Sequence, residues 1–253
     1  MAGVDVLKAK KRLEEVRKAD ADKKSRGEFY SLKEGKNSLR LLPPWGENGE
    51  WCREVGYHFR VVEKKALLCP KITFKEDCPI CEEVSRMFKG SEEDKKHARE
   101  ISSKQRCYAN VLDLDAKDGK VKIFQFGPMI RDKFLAYFAD DEVGDFTNVD
   151  KGRNVKIEKS GEGMQTDYSV IVSISASPVS DWPNVQKQIV DFDKYVQRER
   201  LPYAKLKGIL EGTDNLEDAA TEAKSESKPE STSGSDRMKE LEEQLRKMKE
   251  KSK

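Results

Sequence analysis

Four residues constrain this chain more than any others: His58, Cys69, Cys78 and Cys81. Cys78-Pro79-Ile80-Cys81 sets two thiols on either side of a two-residue gap, so one tight turn can present both sulfurs to the same ion. Cys69 lies nine positions before that pair and His58 eleven before Cys69, and the loop between is long enough to return both to it. Three thiolates and an imidazole suit one structural Zn2+ ion better than magnesium or calcium, which prefer oxygen. With four protein ligands the ion keeps no open position for water, so it stabilises a fold rather than hydrolysing a substrate. A CxxC pair also serves thiol oxidoreductases, and local context alone does not dismiss one using Cys78 and Cys81. The upstream Cys69 and His58 favour zinc. Cys52 is a substitute ligand, Cys107 reads as packing within a strand, and His97, in the charged stretch EEDKKHARE, as solvated.

Around this cluster the chain divides by charge. Its 253 residues are 38% charged and 36% hydrophobic, so the polar excess belongs to segments outside the core. Residues 1–26 carry nine Lys/Arg against five Asp/Glu, residues 213–236 seven acidic against two basic, and residues 237–253 seven basic against four acidic. Residues 27–212 are then neutral, and a nucleic-acid surface on them must be a local concentration of positive charge. No run approaches the length of a membrane span and the N-terminus lacks an apolar signal region, which implies a soluble, intracellular protein with no membrane partner. Five cysteines, three of them crowded beside a histidine, suit a reducing compartment.

The periodicity gives four units: a basic arm or helix over 1–26, a core over 27–212, an acidic disordered linker over 213–236 and a short heptad-patterned helix over 237–253. Strands are expected at Ser38–Leu42, Cys52–Arg60, Tyr108–Asp115, Lys120–Phe126, Asn154–Lys159 and Tyr168–Ala176. Asp118-Gly119 reads as the tight primed turn of the Tyr108–Phe126 hairpin. Helices are expected near Pro79–Lys89, Glu92–Ser103, Met129–Ala139 and Pro183–Arg198, the last opening at a Ser180 or Asp181 cap. Short strands with a basic and aromatic face suit an α+β chain built on an OB-fold-like small β-barrel, with inserted helices, a structural zinc subdomain and flexible termini.

Single strands are held by stacking bases on rings while cations neutralise phosphates. Trp45, Trp51, Arg53, Tyr57, Phe59, Arg60, Lys64 and Lys65 cluster in one stretch, and Lys104, Arg106, Tyr108, Lys120, Lys122, Phe124 and Phe126 decorate the hairpin and its approach. Lys120, Lys122, Phe124 and Phe126 share one face of a strand, an awkward core and a good stacking platform. The plainer reading is that strand aromatics are core and lysines solvated. The residues taken as DNA contacts are Arg40, Trp45, Arg53, Tyr57, Arg60, Lys64, Lys104, Arg106, Tyr108, Lys122, Phe124, Phe126 and Arg131. The sequence holds no P-loop, no HExxH and no GxSxG, and suggests no enzymatic reaction.

Leu39-Arg40-Leu41-Leu42-Pro43, the His58, Cys69, Cys78 and Cys81 set, Cys78-Pro79-Ile80-Cys81-Glu82, Tyr108-Ala109-Asn110-Val111-Leu112, and Phe126-Gly127 followed by Ile130-Arg131-Asp132-Lys133 together resemble the single-stranded-DNA-binding, helix-destabilising proteins of T-even-like bacteriophages. The resemblance runs from about Leu39 to Phe146. It implies an OB-fold core with one structural zinc and cooperative, largely sequence-independent binding of single-stranded DNA. It also implies service to phage replication, recombination and repair in the cytoplasm of the infected host. It places Phe124 at a stacking aromatic, Tyr108 at a tryptophan and Arg40 at an arginine of the family. Residues 1–26, with Lys8, Lys10, Lys11 and Arg12, would contact neighbouring copies along the strand, and residues 213–253 would recruit replication proteins. Two departures stand: Cys107 occupies an aromatic position, and the tail turns basic after Asp236. A zinc-ribbon adaptor of a replication or transcription complex, acting through protein contacts, is the alternative.

Overall fold

The computed structural model describes residue 12 and residues 27–63, 65–116 and 118–214. Eight strands form one mixed sheet: β1 (Glu28–Tyr30), β2 (Gly35–Leu41), β3 (Arg53–Val62), β4 (Lys65–Leu68), β5 (Lys104–Asp113), β6 (Val121–Phe126), β7 (Arg153–Ser160) and β8 (Asp167–Ala176). The hydrogen-bonded path is β1-β6-β5-β2-β7-β8, parallel at β1-β6 and antiparallel at the other pairings. β5 is the hub: one edge is filled by β6, while the other is shared between β3 along Lys104–Tyr108 and β2 along Val111–Asp113. β4 hangs from β3. The path stays open, with no ladder between β1 and β8, so the chain is α+β as expected but its sheet is not hydrogen-bonded into a closed small barrel.

Within the described residues 27–214, seven α-helices accompany this sheet: α1 (Pro70–Thr73), α2 (Pro79–Met87), α3 (Glu92–Ile101), α4 (Pro128–Phe138), α5 (Trp182–Gln186), α6 (Phe192–Gln197) and α7 (Tyr203–Glu211). None of the described helices is long and apolar enough to cross a membrane. The single helix expected over Pro183–Arg198 is two. Between them, Asn110 donates its amide to the Val190 carbonyl and accepts from the Val190 N–H, both at 3.0 Å, which takes Val190 out of any helical ladder. Asp191 then caps the second helix by accepting from the Lys194 N–H at 3.1 Å. The β5-β6 connection also differs from expectation. The strands stop at Asp113 and resume at Val121, and the Asp113 carboxylate collects the N–H groups of Asp115 and Ala116, making a longer loop than a two-residue turn. Gly119 supplies the positive φ of 64° that this loop needs.

The main core fills the face of the sheet carrying Cys107, Ala109, Val111, Phe124 and Phe126, against Ile130 and Phe134 of α4 and against Phe146. Each such aromatic contributes about 1.5–3 kcal/mol by leaving water. Arg40 closes one end. Its guanidinium donates to the carbonyls of Phe146 at 2.5 Å, Arg153 at 2.7 Å and Asn148, and burial pulls its pKa down to about 10. Gly152 is required beside it, because a Cβ there would collide with the Arg40 guanidinium and the Asn148 carbonyl. A second cluster, Leu67, Ile80, Val84, Ala98, Ile101, Leu206 and Ile209, packs β4, α2, α3 and α7 around three of the four predicted metal ligands.

Candidate metal centre and nucleic-acid interface

His58, Cys69, Cys78 and Cys81 come from three pieces of structure to one point, their ligand atoms all within 4.8 Å of one another. β3 delivers His58, fully buried. Cys69 follows β4 at the N-cap of α1, and Cys78 is the N-cap of α2, whose first turn carries Cys81. Pro70 and Pro79 start these helices at positions where the missing N–H costs nothing. Sγ of Cys69 lies 3.5 Å from Sγ of Cys81, and Nε2 of His58 lies 3.4 Å from Sγ of Cys78 and 3.6 Å from Sγ of Cys81. Tetrahedral zinc, with bonds near 2.0–2.3 Å, separates its ligand atoms by about 3.5–3.8 Å, so the donor set and its edges both fit one such ion.

The partner of the imidazole's other nitrogen fits as well. Nδ1 of His58 sits 2.8 Å from the Ile101 carbonyl oxygen; a carbonyl can only accept, so Nδ1 carries the proton and Nε2 keeps its lone pair for a metal. Without an ion, burial pulls the imidazole down and the Cys69 and Cys78 thiols raise it, to a net value of about 9. Hydrogen bonds from Cys78 and Cys81 hold the Cys69 thiol far below the ordinary range, and the same crowding pushes Cys81 up. A cation relieves this crowding by taking the place of the protons. A redox pair would have no use for the third sulfur and the imidazole.

The opposite face of β3, β5 and β6 carries the aromatic and basic residues. Phe29, Tyr108, Tyr57 and Phe59 form a ribbon of rings with successive centroids 6.3, 6.5 and 6.4 Å apart. Arg53, Tyr108 and Gln125 make one cross-strand row of it. Its ends are open: Phe29 is 44% exposed, Lys104, Arg60 and Gln125 are exposed, and the Arg106 guanidinium lies 5.9 Å over the half-buried Phe59 ring. Beyond Phe29 lies a cavity of about 420 Å³ lined by Ser31, Gln125, Lys159 and Tyr168 among others.

Of the residues chosen from sequence, Arg53, Tyr57, Arg60, Lys104, Arg106 and Tyr108 belong to this face or its rim, but the middle of the ribbon is covered. Tyr57 and Tyr108 are buried, Tyr108 donating to the Tyr57 hydroxyl at 2.9 Å, and Trp45 packs against Phe192. Five choices need correction. Arg40 is buried with its two terminal nitrogens on carbonyls, and Phe124 and Phe126 are core residues packed against each other, with Tyr30 edge-on to Phe124 and Trp51 stacked on Phe126. Lys122 does share their face, yet its ammonium is spent on Asp113 at 2.9 Å and Asp118 at 3.6 Å. Arg131 is held by Glu54 at 3.1 Å and Asp132 at 2.9 Å. Lys64, Lys8, Lys10 and Lys11 lie outside the described residues, as does nearly all of 213–253, while Arg12 is helical and exposed. Phe29, Gln125, Lys159 and Tyr168, at this face or the cavity beside it, were not among the residues chosen; Phe29 and Tyr30 lie in a strand of three residues, too few to show alternation.

A Cys3His cluster that could hold one metal ion thus stands beside a sheet with a basic, aromatic face, the arrangement of a binding protein. The family described as gp32 DNA binding protein like matches residues 33–207, and the chain belongs to that family of single-stranded-DNA-binding proteins from T4-like phages. No curated protein sequence matches the chain. The family makes single-stranded DNA the supported partner.

Proposed function

We propose that this protein coats and protects single-stranded DNA, cooperatively and with little sequence preference, during phage DNA replication, recombination and repair in the cytoplasm of the infected cell, and that it performs no catalysis. The observation that carries the reading is the ring ribbon with cations at its open ends. A strand would run from Phe59, Lys104, Arg106 and Arg60 over Gln125 to Phe29 and the cavity of Lys159 and Tyr168, bases on rings and phosphates on cations, as on OB-fold surfaces. Stacking uses a π-face that every base has, which is why little sequence preference is expected.

One zinc ion would be held by His58, Cys69, Cys78 and Cys81, supplying a closed tetrahedral tie between β3, β4 and α2 without touching DNA. Residues 1–26, with Lys8, Lys10, Lys11 and Arg12, would serve contacts between copies, and residues 213–253 contacts with replication proteins. Fluorescence titration with oligo-dT, oligo-dA and a duplex of equal length tests the reading. Similar tight binding of both single strands and much weaker duplex binding is expected; equal affinity for the duplex would sink it.

A further inference from the structure

The middle of the ribbon is closed, and what closes it has the chemistry of a strand. Phe192 stacks on Tyr108 with centroids 5.8 Å apart and planes at 29°, and Tyr195 meets the same ring edge-on at 5.7 Å. Asp193 sets one carboxylate oxygen 3.4 Å from Arg53 Nε and the other 3.0 Å from the Trp45 indole nitrogen. Glu199 accepts from the Tyr57 hydroxyl at 2.6 Å. A ring on a ring and a carboxylate on a guanidinium are the contacts that a base and a phosphate would make. One short segment thus meets Trp45, Arg53, Tyr57 and Tyr108, four residues whose chemistry marks them for nucleic acid.

The segment is separable from the sheet. α6 has six residues, too few to persist without its contacts, and non-helical stretches at 187–191 and 198–202 flank it. The two-way Asn110–Val190 pairing fixes one of these stretches and leaves a hinge beyond it. Phe192 and Val196 are fully buried, so the closed form dominates when no strand is present. Affinity for the covered half is then lowered by the fraction of time it stands open.

We propose that Trp45, Arg53, Tyr57 and Tyr108 form a second run of nucleotide sites, held shut by residues 191–200 as an internal stand-in for the strand. A single strand already seated on the open ends displaces the segment and occupies these sites. The inference rests on the single-stranded-DNA reading above.

Hydrogen exchange read by mass spectrometry on the full chain, free and saturated with long oligo-dT, tests it. Faster exchange across Phe192–Gln197 in the complex is expected. The D193N/E199Q variant, which removes two anions from the covered sites, should bind oligo-dT about three- to tenfold more tightly. Unchanged or slower exchange across Phe192–Gln197 in a saturated complex overturns the inference while leaving DNA binding intact, whatever the variant does. Failure of the wild type to bind oligo-dT at low salt overturns both.

Discussion

His58 faces two ways: its Nδ1 lies 2.8 Å from the Ile101 carbonyl oxygen, and its Nε2 lies 3.4 Å from Sγ of Cys78. The carbonyl belongs to the last residue of α3, so a bound ion would tie α3 to β3 and α2 through one ring. Structural zinc sites in small domains are worth on the order of 10 kcal/mol. Elemental analysis should therefore find about one zinc per chain, and C78S should lose the metal and unfold the β4–α3 region. A stable, metal-free wild-type protein would contradict this.

Arg40 separates architecture from binding. R40A strands the carbonyls of Phe146, Asn148 and Arg153 in the interior and should cost about 3–5 kcal/mol in urea unfolding. The salt dependence of DNA affinity should not change. Were Arg40 a phosphate contact, the slope of log K against log salt would fall by about 0.9 with little loss of stability.

Phe124 and Phe29 make the complementary pair. Phe124 is 1% exposed, and F124A should cost about 3–5 kcal/mol of stability. Phe29, 44% exposed, should lose about 1–3 kcal/mol of DNA affinity as F29A while the melting temperature stays nearly constant. A reversal of the two effects would return Phe124 to the DNA surface.

The buried phenols predict the alkaline limit of the fold. Burial, first of all, pushes Tyr30, Tyr57 and Tyr108 above the ordinary phenol range, and Glu199 adds to this at Tyr57 and Tyr108. Their folded pKa values exceed the unfolded value of about 10, so the stability they carry is complete below that pH and is lost as pH rises above it. Absorbance of phenolate should show these three ionising late, together with unfolding. Smooth titration of all seven tyrosines near pH 10 would count against it.

Much of this was legible in the sequence, for physical reasons that differ by site. Metal ligands must be specific atoms at short range, so residue type and spacing alone brought out His58, Cys69, Cys78 and Cys81. Strand alternation gave β5 and β6 and correctly put Lys122, Phe124 and Phe126 on one face. Alternation does not say which face is covered, and that was decided by α4 on one side and by residues 182–200, some seventy positions away, on the other. Arg40 misled because an arginine bound to carbonyls and one bound to phosphates have the same surroundings in sequence. The helical break at Val190 depended on Asn110, a partner that no local pattern reveals.

Photocrosslinking tests the central claim most directly. Irradiation of the protein saturated with a uniformly photoreactive single-stranded oligonucleotide, followed by mass spectrometry of the crosslinked peptides, should mark the segments containing Phe29 and Phe59, the open rings of one face, and Tyr168 in the cavity beside Phe29. Crosslinks confined to the α4 side, around Leu135 and Phe138, with none at Phe29 or Phe59, would contradict the account.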